Sequence, residues 1–271
     1  MSPVNQREPA ATRSICVRGE TVLKTQDPAA SRRERLRTTA GFEVGRRTGL
    51  FVVPEVLSYD DARGEIVFER LNLIGLREAL SRRPGSSELV SRAARALAAI
   101  HQQMKASPGA LVASHGEWGM SSGRSPVPLH GDYGMRNLFY ISATDDLAII
   151  DWANSDWMGF EADVGPAELD VAVFLMSLFH QRLFGPWPIP RRREVARQFL
   201  STYSAASACP LDIGTLRTII AASTPGFHQQ TRQYKGRFRA LAYRHNLLDL
   251  CFFLRRLSRR GFTQTTERST S

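Results

Sequence analysis

The chain is short of cysteine and has no long apolar run. Its three cysteines, Cys16, Cys209 and Cys251, are scattered and form no Cys-x-x-Cys pair. Such an odd, dispersed set argues against a disulfide framework and a four-ligand zinc site, and it favours a reducing compartment. The longest apolar stretch, residues 169–179, is too short to span a bilayer and contains Asp170.

A secretory signal is missing as well. Residues 1–12 are polar, contain two prolines and have no apolar core, which predicts a flexible leader. We therefore expect a cytoplasmic protein. Hydrophobic residues make up 42% of the 271 positions, which is enough for a core, and the length allows one domain or two lobes.

Negative charge is scarce, because 36 Lys and Arg residues face 26 Asp and Glu residues, a formal net charge of +10. This surplus favours anionic partners such as nucleotides, phosphorylated metabolites, nucleic acid or a membrane surface, although a basic surface with no dedicated partner is equally open. Basic and large apolar residues alternate in a helix predicted near the C-terminus: Arg232, Lys235, Arg237, Phe238, Arg239, Leu241, Arg244, Leu248, Phe252, Arg255, Arg256, Arg259 and Arg260.

Three interpretations of that basic helix stay open. Its apolar side can pack on the protein while its arginines are solvated. It can instead face an anionic acceptor, such as a phosphorylated sugar or an envelope precursor near a membrane surface. Nucleic-acid binding is the third interpretation, but the sequence contains no recognised nucleic-acid-binding module.

The first part of the chain alternates short β-prone runs with turns. These runs predict one hairpin over residues 14–24 and a second over residues 56–68. Between them, residues 28–47 are charged and predict a helix whose middle is weakened by Gly41. We expect an α+β fold that begins with a small β-rich N-lobe with one helix, over residues 13–70.

The remaining pattern is mostly helical. Residues 88–104 carry apolar side chains at the spacing of one helix face, and residues 137–151 predict a third hairpin. Further helices are predicted over residues 76–80, 169–183, 191–207, 213–222 and 232–259. We expect a larger, mostly helical C-lobe over residues 71–262, followed by a frayed tail over residues 263–271.

The segment HGDYGMRN, residues 130–137, is the most informative in the chain. Asp132 and Asn137 lie on one loop at a spacing that lets both polar groups face the same cavity. Asp151 ends an apolar strand that can aim its carboxylate at that cavity. Phosphoryl transfer needs a carboxylate that orients the acceptor hydroxyl and hard oxygen ligands for magnesium, which are the residue types found here.

This pattern resembles the signature of the aminoglycoside phosphotransferase and choline kinase-like family, in which HGDxxxxN precedes a strand that ends in Asp and an aromatic residue. The resemblance implies a two-lobed, protein-kinase-like fold. It also implies magnesium-dependent transfer of the γ-phosphate of ATP or GTP to a hydroxyl of a small molecule. Sugars, amino alcohols, aminoglycoside-like molecules and envelope precursors are acceptors of that kind.

The same resemblance assigns roles to the residues of the pattern. Asp132 is implied to be the catalytic carboxylate, and Asn137 and Asp151 the magnesium ligands. His130 is implied to be a structural part of the catalytic loop. Asp170 is implied to brace that loop from the start of a helix, and a plain helix N-cap is the alternative for this residue.

The resemblance also implies a nucleotide site in the N-lobe. Lys24 ends a β run where the family keeps the lysine that contacts the α and β phosphates. Glu43 has the best spacing to hold its ammonium group, and Glu34 is the runner-up. The backbone contacts to the adenine are implied at Glu69 and Leu71, in the hinge between the lobes.

The N-terminal region departs from the family pattern, because no glycine-rich phosphate loop precedes the first predicted strand. Either this loop is short, which would weaken nucleotide binding, or a first strand lies upstream. The alternative function is therefore a catalytically weak or inactive kinase-fold protein that acts as a nucleotide-binding or regulatory module. The presence of Lys24, Asp132, Asn137 and Asp151 favours the enzyme.

Acceptor specificity is expected to lie in the C-terminal helices, which carry no recognised motif. Acidic residues after the metal strand could line a cleft for a polycation, although a solvated acidic loop is the preferred interpretation: Asp156, Glu161, Asp163 and Glu168. The positive net charge favours a sugar, an amino alcohol or another hydroxyl metabolite over an aminoglycoside.

Overall fold

The computed structural model describes residues 13–82, 87–106, 110, 125–153, 162–180, 187–208 and 211–259. The predicted leader and the predicted tail over residues 263–271 lie outside these ranges. In chain order the described elements are β1 (Ser14–Arg18), β2 (Thr21–Thr25), α1 (Pro28–Thr48), β3 (Val56–Asp60), β4 (Glu65–Glu69), β5 (Ile74–Gly75), α2 (Leu76–Arg82), α3 (Ser87–Gln103), β6 (Val127–Pro128), β7 (Leu138–Ile141), β8 (Asp146–Ile149), β9 (Val164–Gly165), α4 (Glu168–Phe179), α5 (Ile189–Ala206), α6 (Ile213–Lys235) and α7 (Arg237–Arg259).

The N-terminal lobe is an antiparallel sheet of strand order β1-β2-β4-β3 that packs against α1. Both predicted hairpins are present, as β1–β2 and β3–β4. Lys24 lies in β2, directly opposite Ile15 of β1 and Ile66 of β4. Directly opposed side chains share a face of the sheet, so these three residues lie on one face.

Helix α1 begins and ends with strong capping groups. Asp27 accepts hydrogen bonds from the amides of Ala29 and Ala30, and Gly49 ends the helix in the left-handed conformation at φ 64°. The helix is continuous through its middle, where the Thr38 hydroxyl donates to the Glu34 carbonyl, 2.8 Å away.

The buried side of α1 is made of small and charged residues rather than large apolar ones: Ser31, Glu34, Arg37, Thr38, Gly41, Val44 and Gly45. At Gly41 an added Cβ would stand 2.4 Å from the Trp152 ring. Helix α1 therefore approaches Trp152 more closely than any residue with a side chain would permit.

The C-terminal lobe is built around α4. Every residue of α4 except Ser177 is buried, which is the pattern of a helix enclosed on all sides. Helix α3 packs on α5, and α4 packs on α6 and α7. The predicted third hairpin is β7–β8, and the Val52 segment joins β8 in a short parallel pairing that connects the two lobes.

The helix boundaries near the C-terminus differ from the prediction. The sequence predicts one helix that ends at Ala222 and another that starts at Arg232, but α6 continues to Lys235 through Pro225. Just before Pro225, the hydroxyls of Ser223 and Thr224 donate to carbonyls one turn earlier in the helix. The real break is at Gly236, whose φ of 85° suits glycine.

The structure confirms the predicted α+β, two-lobed architecture. No helix within the described ranges combines the length and the apolarity that crossing a membrane requires.

Replacement of Gly41 by alanine should destabilise the protein by about 1–3 kcal/mol, because the new methyl group overlaps the Trp152 ring. Gly226 is the matched control, since it lies in α6 with no atom within 4 Å of an added Cβ. Gly226→Ala should be neutral or stabilising by up to about 1 kcal/mol. Urea unfolding measures both, and equal effects would contradict the close approach at Gly41.

Candidate active site

Backbone groups of the loop at residues 129–131 are bound from two sides by buried charges. The Asp170 carboxylate accepts from the amides of His130 at 2.6 Å and Gly131 at 2.8 Å. On the other side, the Arg37 guanidinium donates to the carbonyls of Leu129 at 2.7 Å and His130 at 2.5 Å. Both the amides and the carbonyls of this loop therefore have charged partners, and these hydrogen bonds fix its backbone.

Both charges have further partners that make their burial tolerable. Arg37 pairs with Asp163 at 2.9 Å, and Asp170 lies 3.1 Å from Nε2 of the buried His101. Burial alone would raise the pKa of Asp170, but the contact with His101 outweighs it, so the pKa is lowered. Asp170 thus forms the bracing contacts that the resemblance implies.

His130 is a packed residue of this loop. It is fully buried beside Trp152, with ring centroids 4.5 Å apart. Its Nδ1 accepts from the amide of Asp132 at 3.2 Å, and burial lowers its pKa to about 4. His130 is therefore neutral at pH 7, and its environment is that of a structural histidine rather than a proton shuttle.

Asp132 and Asn137 meet as their spacing predicts. The Asn137 side-chain amide donates to the Asp132 carboxylate at 2.8 Å and to the Asp132 carbonyl at 2.9 Å. The guanidinium of Arg136 donates to the same carboxylate at 2.6 Å. Both Asp132 and Asn137 are buried, whereas 62% of the Arg136 side chain is exposed. Arg136 therefore joins the Asp132 carboxylate to the protein surface.

Asp151 stands just beyond β8 in a strained backbone conformation. Its φ is 59°, which a residue with a side chain adopts rarely and which is common at functional sites. The carboxylate accepts from Lys24 at 2.9 Å and from Arg13 at 2.8 and 3.0 Å. Burial alone would raise the pKa of Asp151, but these two cations outweigh it and the pKa is lowered. Asp151 is therefore held ionised.

Lys24 is paired with Glu34, and the sequence-based choice of Glu43 is wrong. The Lys24 ammonium lies 2.5 Å from the Glu34 carboxylate, and both side chains are buried. Glu43 is 53% exposed and pairs with Arg46 on the outside of α1. Glu34 lies on the buried side of the helix, whereas Glu43 does not, so helix phase decides between them rather than distance along the chain.

The donor set fits a magnesium ion that also binds substrate oxygens. Asp151 offers carboxylate oxygens and Asn137 offers an amide oxygen, which are hard ligands of the kind magnesium prefers. Among the described residues, no group of three or more His, Cys, Asp and Glu side chains is arranged to hold a metal. Magnesium sites at nucleotides commonly use one or two carboxylates and complete their coordination with phosphates and water, so this small set is sufficient.

Beside Lys24, the same face of the sheet carries an apolar row that sequence reasoning missed. Val17, Val22, Phe68 and Val56 are paired in succession across the strands. Val22 precedes Lys24 by two residues, so period-2 alternation places both on one face. Val17 is 56% exposed, so the row offers accessible apolar area next to the lysine.

The hinge residues lie where β4 ends. The Glu69 amide donates to the Glu55 carbonyl and the Arg70 amide to the Glu20 carbonyl, both at 2.9 Å. For Leu71, no backbone hydrogen bond of its amide is formed with the part of the chain that the structure describes.

Two of the four acidic residues that follow β8 are buried, whereas the sequence suggested a solvated loop. Asp163 is buried against Arg37, and Glu168 is buried with its carboxylate accepting from the Asp212 amide at 2.9 Å. Asp156 and Glu161 lie outside the described residues. Two of the four acidic side chains therefore make buried polar contacts within the protein, and these two do not line an acceptor cleft.

No protein-family model matches the chain, and no curated protein is similar to it in sequence. Solved structures are similar in fold. A glucosamine kinase in complex with glucosamine, ADP and inorganic phosphate aligns with a TM-score of 0.56 and 17% identity over 92% of this chain and 81% of that chain. This likeness confirms the kinase-like fold that the resemblance implies.

Two further structures align less closely. An aminoglycoside phosphotransferase from Streptomyces rimosus has a TM-score of 0.49 and 14% identity over 80% of this chain and 93% of that chain. An ethanolamine kinase from Plasmodium vivax has a TM-score of 0.47 and 11% identity over 90% of this chain and 82% of that chain.

Glu34→Gln should lower the free energy of unfolding by about 3 kcal/mol, because it removes a charged partner from the buried Lys24 ammonium. Glu43→Gln is the matched control and should change it by less than about 0.5 kcal/mol, since its partner is on the surface. Chemical denaturation of the two variants tests this. A larger loss in the Glu43 variant would restore the sequence-based pairing.

Proposed function

We propose that this chain, which has the fold of the aminoglycoside phosphotransferase and choline kinase-like enzymes, is a small-molecule kinase. It would transfer the γ-phosphate of ATP or GTP to a hydroxyl group in a magnesium-dependent reaction. The proposal implies a cytoplasmic setting, where nucleotide and magnesium are present together.

One observation carries the proposal. The buried Lys24 ammonium bridges Glu34 of α1 at 2.5 Å and Asp151 beyond β8 at 2.9 Å. Ion pairs this deeply buried are costly to form, and a buried charge network that lowers the pKa of a carboxylate is an arrangement that functional sites commonly use. The network joins the N-terminal sheet to the strand end that supplies the proposed metal ligand.

Each part of the mechanism that the resemblance implies would have a residue in this chain. The apolar row beside Lys24 would cover the adenine, whose edge would bind the Glu69 carbonyl and the Leu71 amide. Lys24 would contact the phosphates. Asp132 would align the acceptor hydroxyl and take its proton, so that positioning and electrostatics provide most of the rate.

Asn137 and Asp151 would hold magnesium, which when bound neutralises the negative charge of the phosphates. Asn137 donates its amide hydrogens to Asp132, so its carbonyl oxygen is the atom available for a metal. The strained backbone at Asp151 would fix the direction of the second ligand.

The contact between Arg13 and Asp151 favours the alternative of a weak or inactive kinase-fold module. A guanidinium that donates to both carboxylate oxygens occupies the ligand atoms that a metal would take. Arg13 would have to leave before a magnesium nucleotide binds. Because 47% of its side chain is exposed, that exchange would meet a modest barrier, and we retain the enzyme as the proposal.

Asp132→Asn should leave the magnesium-dependent shift in melting temperature with ATP nearly unchanged and lower ATP-dependent turnover by about 10²-fold or more. Asp151→Ala should remove the shift itself, because it deletes a metal ligand. Glu43→Gln serves as the surface control. The measurements are thermal shift with and without magnesium, and ATP consumption against a panel of hydroxylated metabolites. A wild type with no shift for ATP or GTP would contradict the kinase and favour the alternative module.

The charges around Asp132 support a class of acceptor. Arg136 contacts the Asp132 carboxylate and is close enough to Lys235 to act on it electrostatically. Burial lowers the pKa of Lys235, and the nearby positive charges of Arg239 and Arg136 lower it further. His180 lies against Tyr243, and the Lys235 ammonium lies 5.9 Å from the centre of the same ring. We define Arg77, Arg136, Lys235 and Arg239 as the cationic ring.

Two buried nitrogen atoms in this region have no hydrogen-bond partner among the described residues: Arg77 Nε and His180 Nε2. Burial lowers the pKa of His180 to about 3, and Lys235, Arg77 and Arg136 lower it further. A region with surplus positive charge and an unpaired guanidinium N–H suits an anion and repels a polycation. We therefore propose a phosphorylated or carboxylated hydroxyl compound as the acceptor, in preference to an aminoglycoside.

The acceptor class is tested by paired compounds such as glucose with glucose 6-phosphate and glycerol with glycerol 3-phosphate. We expect a lower KM for the phosphorylated member, and Lys235→Ala and Arg239→Ala should raise that KM by about tenfold each, as expected for a lost charge-assisted contact. The KM for ATP should not change. Arg244→Ala, elsewhere on α7, is the matched loss of charge. Faster phosphorylation of kanamycin than of any anionic compound would contradict the acceptor class and leave the kinase intact.

A further inference from the structure

The outer side of α7 exposes large apolar side chains in line. Phe238, Leu241, Leu248 and Phe252 are 91%, 62%, 53% and 60% exposed. At about 100° per residue these four positions fall within about 80° of the helix circumference. We call them the α7 stripe.

The opposite side of the same helix already packs on the protein. Its buried residues are Ala240, Ala242, Tyr243, Asn246, Leu247, Leu250, Phe253 and Leu254. These contacts are made with α6 and α4. Helix α7 therefore has two apolar sides, and only one of them is used within the described chain. Single exposed apolar residues are ordinary, but an aligned set on one helix indicates an interaction surface.

The charge around the stripe is almost entirely positive. Between Ile213 and Arg259 the sequence has nine Lys and Arg residues, and its single acidic residue is Asp249. That carboxylate is already paired with Arg193 of α5. Arg237, Arg244 and Arg255 lie along one edge of the stripe by helical phase, and Arg256 and Arg259 continue its sector beyond Phe252. His245 shares the phase of the stripe, and Asp249 lies at its other edge. The apolar residues are therefore bordered by arginines on one side and at the C-terminal end.

This combination distinguishes the possible partners. A second copy of the chain would bring arginine against arginine in any symmetric pairing of two α7 helices, because the single acidic residue beside the stripe, Asp249, is already paired with Arg193. A nucleic acid would neutralise the arginines but leave two phenylalanines and two leucines without an apolar environment. An anionic bilayer supplies negative headgroups for the border and acyl chains for the centre.

We propose that α7 is a membrane-docking helix, which lies flat on an anionic lipid surface with Phe238, Leu241, Leu248 and Phe252 inserted below the headgroups. The stripe begins next to Lys235, one of the cationic ring residues. Docking would therefore hold the acceptor side of the site near the bilayer. The docking itself does not depend on the proposed phosphotransfer.

Sedimentation of the purified full chain with vesicles tests this proposal. We expect binding to vesicles of phosphatidylglycerol and phosphatidylcholine, weakening with salt, and little binding to phosphatidylcholine alone. Phe238→Ser with Phe252→Ser should weaken the binding by about tenfold or more, since it removes the inserted rings. Arg255→Gln with Arg256→Gln should also weaken it.

Leu57→Ser with Tyr59→Ser is the matched control, because these residues are 50% and 56% exposed on β3, far from α7 in the chain. It should bind vesicles like the wild type, and urea midpoints confirm that all variants fold. Absence of binding, or equal binding to neutral vesicles, would overturn the proposal. So would a dimer that dissociates in the phenylalanine variant, or tight binding to duplex DNA with no binding to lipid.

Discussion

The structure depends on a short stretch of backbone, residues 129–131, that two buried charges hold from opposite sides. Asp170 binds its amides and Arg37 binds its carbonyls. A buried ion is tolerated only when it is paired and fully hydrogen-bonded. The loop backbone therefore stabilises each of the two charges, and the two charges fix the loop backbone. Asp132 follows directly, and its direction is set by this backbone. The position of the Asp132 carboxylate, the proposed catalytic group, is thus a property of two distant helices, α1 and α4.

Helix α1 contributes to the candidate site through charge rather than through apolar contact. Glu34 binds Lys24 and Arg37 binds the loop, and both project from the buried side of this one helix. Through these contacts α1 is linked to the N-terminal sheet, to the loop at residues 129–131 and, by way of Lys24, to the end of β8. A helix of this kind has a weak apolar pattern, since the groups it buries are satisfied by partners from other elements.

That property explains what sequence reasoning could and could not find. The HGDYGMRN segment and Asp151 could be located because their spacing on one loop and one strand end is a local feature. Glu43 was preferred over Glu34 because spacing along the chain was weighed, while the phase of α1 is hidden when its buried side is polar. The roles of Arg37 and Arg13 were missed because each contacts residues far away in the sequence, at separations of 92 and 138 positions. Pro225 misled the prediction of α6, because tertiary packing and neighbouring hydroxyls keep that helix continuous.

The contact between Gly41 and Trp152 has a consequence for movement. Helix α1 meets the indole at Gly41, and Arg37, three residues after Glu34, ties the helix to the loop at residues 129–131. Moving α1 outward would separate Glu34 from Lys24, and Arg37 from both the loop and Asp163. Because separating buried charges from their partners is costly, α1 should hold its position when a ligand enters, and any opening of the candidate site would have to come from other elements.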